Sequence, residues 1–204
     1  MKRLACQLLA VLSASALSAS GAAQTGSTNA SGYYIRSLSE RTIEALPPGP
    51  LYWRIENFPT ASAAAAHAKH SRYALAATFS GRNWLFTLGA RGQRTPGGRM
   101  VAVIGPIATP RASRYLLRIN HAGGPPGSET PVHTHPGAEA IYVLKGQISQ
   151  RTPMGTMTAG PAQTLNAHSP EMVMQIRSSG RSDLEQLVMF VVDADRPFSP
   201  PAKF

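Results

Sequence analysis

The residues best equipped for chemistry lie in PVHTHPGAEAIYVLKG, positions 131–146. Side chains of an extended segment alternate faces, so His133 and His135 project to one side and Thr134 to the other. Pro136-Gly137-Ala138 can turn the chain, and Glu139 then opens the next strand with Ile141 and Val143 on its face. Two neutral imidazoles and one carboxylate on a concave, apolar-lined surface make half of an octahedral shell. That facial set suits Fe(II) and also accepts Mn, Co, Ni or Zn. The alternative is a hydrogen-bonded polar cluster in a β-sandwich, and three such groups facing inward without a cation are costly to satisfy.

Strands must position these groups, and the second half of the chain reads as strands. Short apolar runs alternate with Gly- or Pro-bearing turns near 123–127, 136–138, 153–155, 166–170 and 178–182. That rhythm predicts an all-β sandwich or barrel. LVMFVV, 187–192, is too short to span a bilayer and reads as a buried core strand. Earlier in the chain, SLSERTIEAL (37–46) is expected to form a short helix, and LYWRIENF (51–58) a strand. Thr60 is an N-cap candidate for the helix ASAAAAHAKH, which has basic residues late. His67 and His70 fall there three apart, but without a carboxylate they read as surface histidines near a helix C-terminus rather than as ligands. YALAATF, SGRN and WLFTLG then predict a hairpin, followed by strands at MVAVIGPI and RYLLRINHA.

From Gly127 through SETPV to His133, Thr134 and His135, then PGA, Glu139, AIYVLK and Gly146, the chain resembles the first motif of the cupin superfamily without gaps. The resemblance covers roughly 114–193. It implies a double-stranded β-helix, or jelly-roll, barrel with His133, His135 and Glu139 as the first three metal ligands, and it implies a homodimer. The family's second motif supplies another histidine, and here the sequence departs from it. Counted from Gly160, Asn166 stands at the usual proline, His168 at the second glycine, Glu171 at the histidine ligand and Gln175 at the final asparagine. Counted from Gly155, Pro161 keeps the proline and Asn166 takes the ligand position. The first register makes AQTLN a strand, NAHSP a turn and EMVMQIR a returning strand, with Glu171, Val173 and Gln175 on one face. Glu171 is then the expected fourth ligand, although it could equally be a nearby base, an arginine partner or a solvent-facing residue. His168 is the rival ligand or base.

The 204 residues suffice for one folded unit. MKRLACQLLAVLSASALSASGAAQ has the layout of a secretory signal peptide cut before Gln24, with an uncleaved anchor as the alternative. The expected organisation is a signal peptide at 1–23, a flexible arm at 24–32, an N-terminal extension at 33–113 whose strands extend or pack on the barrel, the barrel at 114–193 and a tail at 194–204 lying on the surface or on a neighbouring subunit. Export places the protein in a periplasm or outside the cell. The one cysteine, Cys6, falls in the leader, so the mature chain must be held by its core or by assembly rather than by disulfides. The net charge is +10, and removing Lys2 and Arg3 leaves +8. The arginines carrying it are scattered, which reads as a solvated basic surface and not as a nucleic-acid interface.

Three functions compete. The first is an enzyme in which a mononuclear divalent metal, Fe or Mn by preference and Zn, Ni or Co as alternatives, acts on a small oxygenated substrate, with an oxygenase or oxidase slightly favoured. The second is a binding module for a sugar, a phenolic or a metal ion. The third is a structural envelope protein with a vestigial site.

Overall fold

The computed structural model describes residues 26–29, 31–166 and 169–204. The signal peptide and His168 lie outside the described residues. Among the described residues, thirteen strands and one helix form four layers. Strands β1 (Gly26–Thr28), β2 (Tyr34–Ile43), β7 (Tyr115–Gly124), β8 (Gly137–Lys145), β11 (Thr164–Leu165) and β13 (Leu184–Asp193) make a six-stranded sheet in the order β1-β2-β7-β13-β8-β11. Strands β9 (Ile148–Thr152), β10 (Gly155–Ala159) and β12 (Gln175–Ser178) make a three-stranded sheet in the order β10-β9-β12. These two sheets form the jelly-roll barrel. Strands β3 (Tyr52–Phe58), β4 (Ala74–Phe79), β5 (Arg82–Gly89) and β6 (Arg99–Ile104) make a four-stranded sheet in the order β4-β5-β3-β6, and α1 (Ala61–His70) lies on its outer face. Every strand pairing is antiparallel.

The period-two alternation divides the apolar residues between two cores. Along β13, Leu187, Met189 and Val191 pack with Trp53, Trp84 and Phe86 of the four-stranded sheet. Val188, Phe190 and Val192 pack with Ile148 and Ile176 inside the barrel. LVMFVV is therefore the middle of a sheet, paired to β7 on one side and β8 on the other, as its uninterrupted apolar character requires. The helix forms as expected: the Thr60 side chain accepts a hydrogen bond from Ala63 N, and Ala64 and Ala68 bury against Phe58 and Leu85. The hairpin also forms, as β4 and β5.

Three expectations fail. The segment 37–46 is not helical; Tyr34–Ile43 is a ten-residue strand paired with β7. Its serines, threonine and isoleucines are weaker helix formers, and pairing along a whole strand overrides the helix preference of its leucine, glutamate and arginines. Gly26–Thr28, read as part of a flexible arm, pairs with Tyr34–Arg36. The Asn29 side chain closes that turn by accepting from the amides of Ser31 and Tyr33. In the third case, the strand expected from Glu171 begins only at Gln175. Ser169-Pro170-Glu171-Met172 is a turn, with Met172 N donating to Ser169 O and Glu171 at φ +66, the third position where a type II turn needs a positive φ. The inward side chains of the returning strand are consequently Met174, Ile176 and Ser178, all buried, the opposite parity from Glu171, Val173 and Gln175.

Candidate metal centre

His133 and Glu139 come from different parts of the barrel wall. The His133 backbone exchanges both hydrogen bonds with Met174, which holds it beside the extension of β12. Glu139 is the third residue of β8, opposite Phe190 of β13. Its strand can lie this close to β13 because position 137 has no side chain; a Cβ on Gly137 would come within 2.2 Å of the Val191 carbonyl oxygen. Gly146, at φ +74, turns the chain out of β8. One ligand atom each from His133, His135 and Glu139 lie within 4.8 Å of one another. His133, His135 and Glu139 are 9 %, 4 % and 4 % exposed.

Both imidazoles are held in the same tautomer. His133 Nδ1 donates to the Pro131 carbonyl at 2.8 Å, and His135 Nδ1 donates to the Phe198 carbonyl at 2.7 Å. A carbonyl only accepts, so Nδ1 carries the proton and Nε2 keeps its lone pair. Burial lowers the His133 pKa and, with His133 adjacent, pulls His135 down to about 4, so both rings are neutral at pH 7. Burial pushes Glu139 up to about 8. Its Oε2 has no hydrogen-bond partner and lies 3.6 Å from His135 Nε2, too far for a hydrogen bond. Two lone pairs and an orphaned carboxylate oxygen thus converge in a buried site. A divalent cation satisfies all three at once, and the donor set fits the facial two-histidine, one-carboxylate type.

The groups face a cavity of about 430 Å³. Ile35, Ile176, Val188 and Phe190 give it apolar walls, and Asn120 and Arg118 give it polar ones. Arg118 stacks over the Phe198 ring at 4.7 Å and donates through Nε to Asn120 Oδ1 at 2.9 Å. The Tyr33 hydroxyl accepts from Gln186 Nε2 at 2.8 Å. Burial, with Glu139 nearby, holds the Tyr33 phenol well above its ordinary value, so it stays protonated.

Glu171 is not brought into this cluster. Its side chain is 46 % exposed and its Oε1 accepts from Arg196 Nη1 at 2.6 Å, on the outside of the turn described above. Met174, buried at 2 %, occupies the inward position across from His133. His67 and His70 lie on α1, in a different layer from the metal cluster. Sequence reasoning missed Tyr33, Gln186 and the Phe198 carbonyl. The tail packs on the His133–His135 segment through Thr134 N to Pro200 O and Ala202 N to Val132 O. Its prolines were the only signal, and they say nothing about where it docks.

No protein-family model matches the chain, and no curated protein matches it significantly. Solved structures that are similar in part include the polyketide cyclase RemF from Streptomyces resistomycificus, 20 % identical over 43 % of this chain and 61 % of that one, with a TM-score of 0.37. A cupin superfamily protein from Desulfitobacterium hafniense is 14 % identical over 38 % of this chain and 68 % of that one, TM-score 0.35. A cupin-like protein from Thermotoga maritima is 14 % identical over 42 % and 64 %, TM-score 0.38. The chain spans about three fifths of the length of the Streptomyces cyclase.

Proposed function

We propose that the chain is an exported cupin holding one divalent cation, Fe or Mn by preference, and that it is an oxygenase or oxidase acting on a small oxygenated organic molecule. The observation that carries this is the Glu139 carboxylate, buried with Oε2 unpartnered beside two imidazoles whose free nitrogens face it. A cation held by His133, His135 and Glu139 would supply Lewis-acid or redox chemistry with positions left for substrate and O2. The chain's own residues do the rest. The apolar walls exclude water, Asn120 and Arg118 offer donors to oxygen atoms of the substrate, and the protonated Tyr33 hydroxyl orients a further oxygen near Glu139.

The test is elemental analysis of protein isolated from its own compartment, followed by oxygen uptake on diphenols, diketones and organic acids. Near-stoichiometric Fe or Mn with uptake on one class supports the reading. Protein that stays metal-free after supply with Fe, Mn, Ni or Zn overturns it.

A second reading, non-catalytic binding of a sugar or phenolic, is favoured by one feature. Glu171 is engaged with Arg196 at the surface, so among the described residues lining the cavity Glu139 is the one carboxylate that could act as a base. Bound metal with no uptake on any compound supports it. Homodimerisation is proposed on the exposed sheet edges alone, because β13 is paired on both sides and needs no second copy to cover it. Light scattering at micromolar concentration tests this.

A further inference from the structure

A second cavity lies in another layer, between α1 and the outer face of the four-stranded sheet, and shares no residue with the metal centre. Its origin is the alternation along β3. Trp53 and Ile55 face the barrel sheet, so Arg54 and Glu56 face the helix side. Both charged side chains are buried, Arg54 at 4 % exposure and Glu56 at 0 %. Glu56 is satisfied: Oε1 accepts from Thr95 N at 3.0 Å and Oε2 from Thr95 Oγ1 at 2.6 Å.

Arg54 is not. Its Nη1 donates to two neutral oxygens, Ala90 O at 3.3 Å and Gln93 Oε1 at 2.9 Å. Nε is buried without a partner, and among the described residues no carboxylate lies within 4.0 Å of the guanidinium. Burial lowers its pKa, with Glu56 opposing from a distance. A largely buried guanidinium with no carboxylate in contact is disfavoured, because it cannot shed its charge as a lysine or histidine would.

The cavity measures about 410 Å³, within the range of small-molecule sites. Its lining contains no Asp or Glu. It does contain His67 and His70 from the last turn of α1, and Thr87, whose buried hydroxyl is also unpartnered. Arg41 stands behind this wall, donating to Ala68 O and Ser71 O and adding positive charge at the helix C-terminus.

We propose that this cavity binds the oxyanion group of a small organic acid, a carboxylate or a phosphate ester, with Arg54 as its counter-ion and Thr87, His67 and His70 as further donors. The two histidines three apart on α1 thereby acquire an anion-binding role in place of the metal-binding one that their spacing first raises. The inference is independent of the metal-centre reading, and its test is arranged accordingly.

Isothermal titration calorimetry at low ionic strength, with inorganic phosphate, benzoate and citrate as probes, is run on wild type, Arg54→Met, Gln93→Glu and His135→Ala. Gln93→Glu places a carboxylate against Nη1 from within the chain and serves even where Arg54→Met does not fold. The expected result is one-to-one binding of at least one probe with a Kd below about 1 mM, weakened at least roughly tenfold by Arg54→Met and by Gln93→Glu and unchanged in His135→Ala. Tighter binding of phosphate or of the carboxylates identifies the source of the oxyanion. Gln93→Glu is also expected to raise the melting temperature of the ligand-free protein. Failure of all three probes to bind wild type below roughly 10 mM overturns the proposal. So does a Gln93→Glu variant that binds as wild type does, or binding that disappears with His135→Ala.

Discussion

Replacing Glu139 by glutamine removes a charge while keeping the shape, and the expected effect on metal-free protein is stabilisation. Folded Glu139 titrates at about 8 against an ordinary value of 4.5. Between those limits the folded chain holds a proton that the unfolded chain has lost, so each pH unit lowers the unfolding free energy by about 1.4 kcal/mol. His135 runs the other way. It titrates at about 4 when folded against 6.5, so the unfolded chain holds the extra proton and stability rises with pH across that interval. These two slopes offset each other from pH 4.5 to 6.5, where His121 and His133, both also lowered by burial, add a further rise of stability with pH. Above 6.5 Glu139 dominates, and its contribution alone falls by about 1.6 kcal/mol on going to pH 8. Glutamine abolishes that loss. The amide and the neutral acid bury similar groups, so at pH 7.5 the variant is roughly 4 kcal/mol more stable, or about 8–16 °C in Tm. With cation added the order changes, because wild type gains about 2.7 kcal/mol at a hundredfold excess over Kd and the variant loses most of that gain. Urea unfolding of chelator-treated protein, followed by the buried Trp53 and Trp84 at pH 6.5 and 8.0 with and without Mn, measures all four quantities. A Glu139→Gln variant that weakens as steeply as wild type above pH 6.5, or gains as much from Mn, refutes the reasoning.

Removing residues 197–204 deletes the Phe198 carbonyl that orients His135; cation affinity is expected to fall 10–100-fold by chelator competition while far-ultraviolet dichroism retains its strand signal. Glu171→Gln breaks only an exposed ion pair with Arg196, so metal content by elemental analysis is expected to be unchanged and stability to move by less than about 1 kcal/mol. Gly137→Ala forces a Cβ to within 2.2 Å of Val191 O and displaces the strand that carries Glu139; a loss of more than about 2 kcal/mol in urea unfolding, with reduced metal loading, is expected.

What was legible in the sequence was local. The cap at Thr60, the hairpin at 74–89 and the face shared by Glu139, Ile141 and Val143 are each set by residues a few positions apart, and each appears in the structure. Tyr34–Ile43 was not legible, because its partner β7 lies some eighty residues away and the pairing, not the segment, makes it a strand. The face of the returning strand was lost for a smaller reason. A positive φ at a non-glycine residue, Glu171, has no mark in the sequence, and shifting where the strand starts exchanges inward for outward side chains. Tyr33, Gln186 and Phe198 belong to the cavity through long-range contacts that no spacing rule reports. The strand at 51–58 was expected, but nothing in it marks Arg54 as buried, which follows from what packs on that face of the sheet.

The carbonyl that steadies His135 is made 63 residues after it. During synthesis from the N-terminus, both imidazoles and the carboxylate therefore emerge well before the last anchor of the trio. A polypeptide cut before Phe198 would carry all three candidate ligands and still lack the carbonyl that orients one of them.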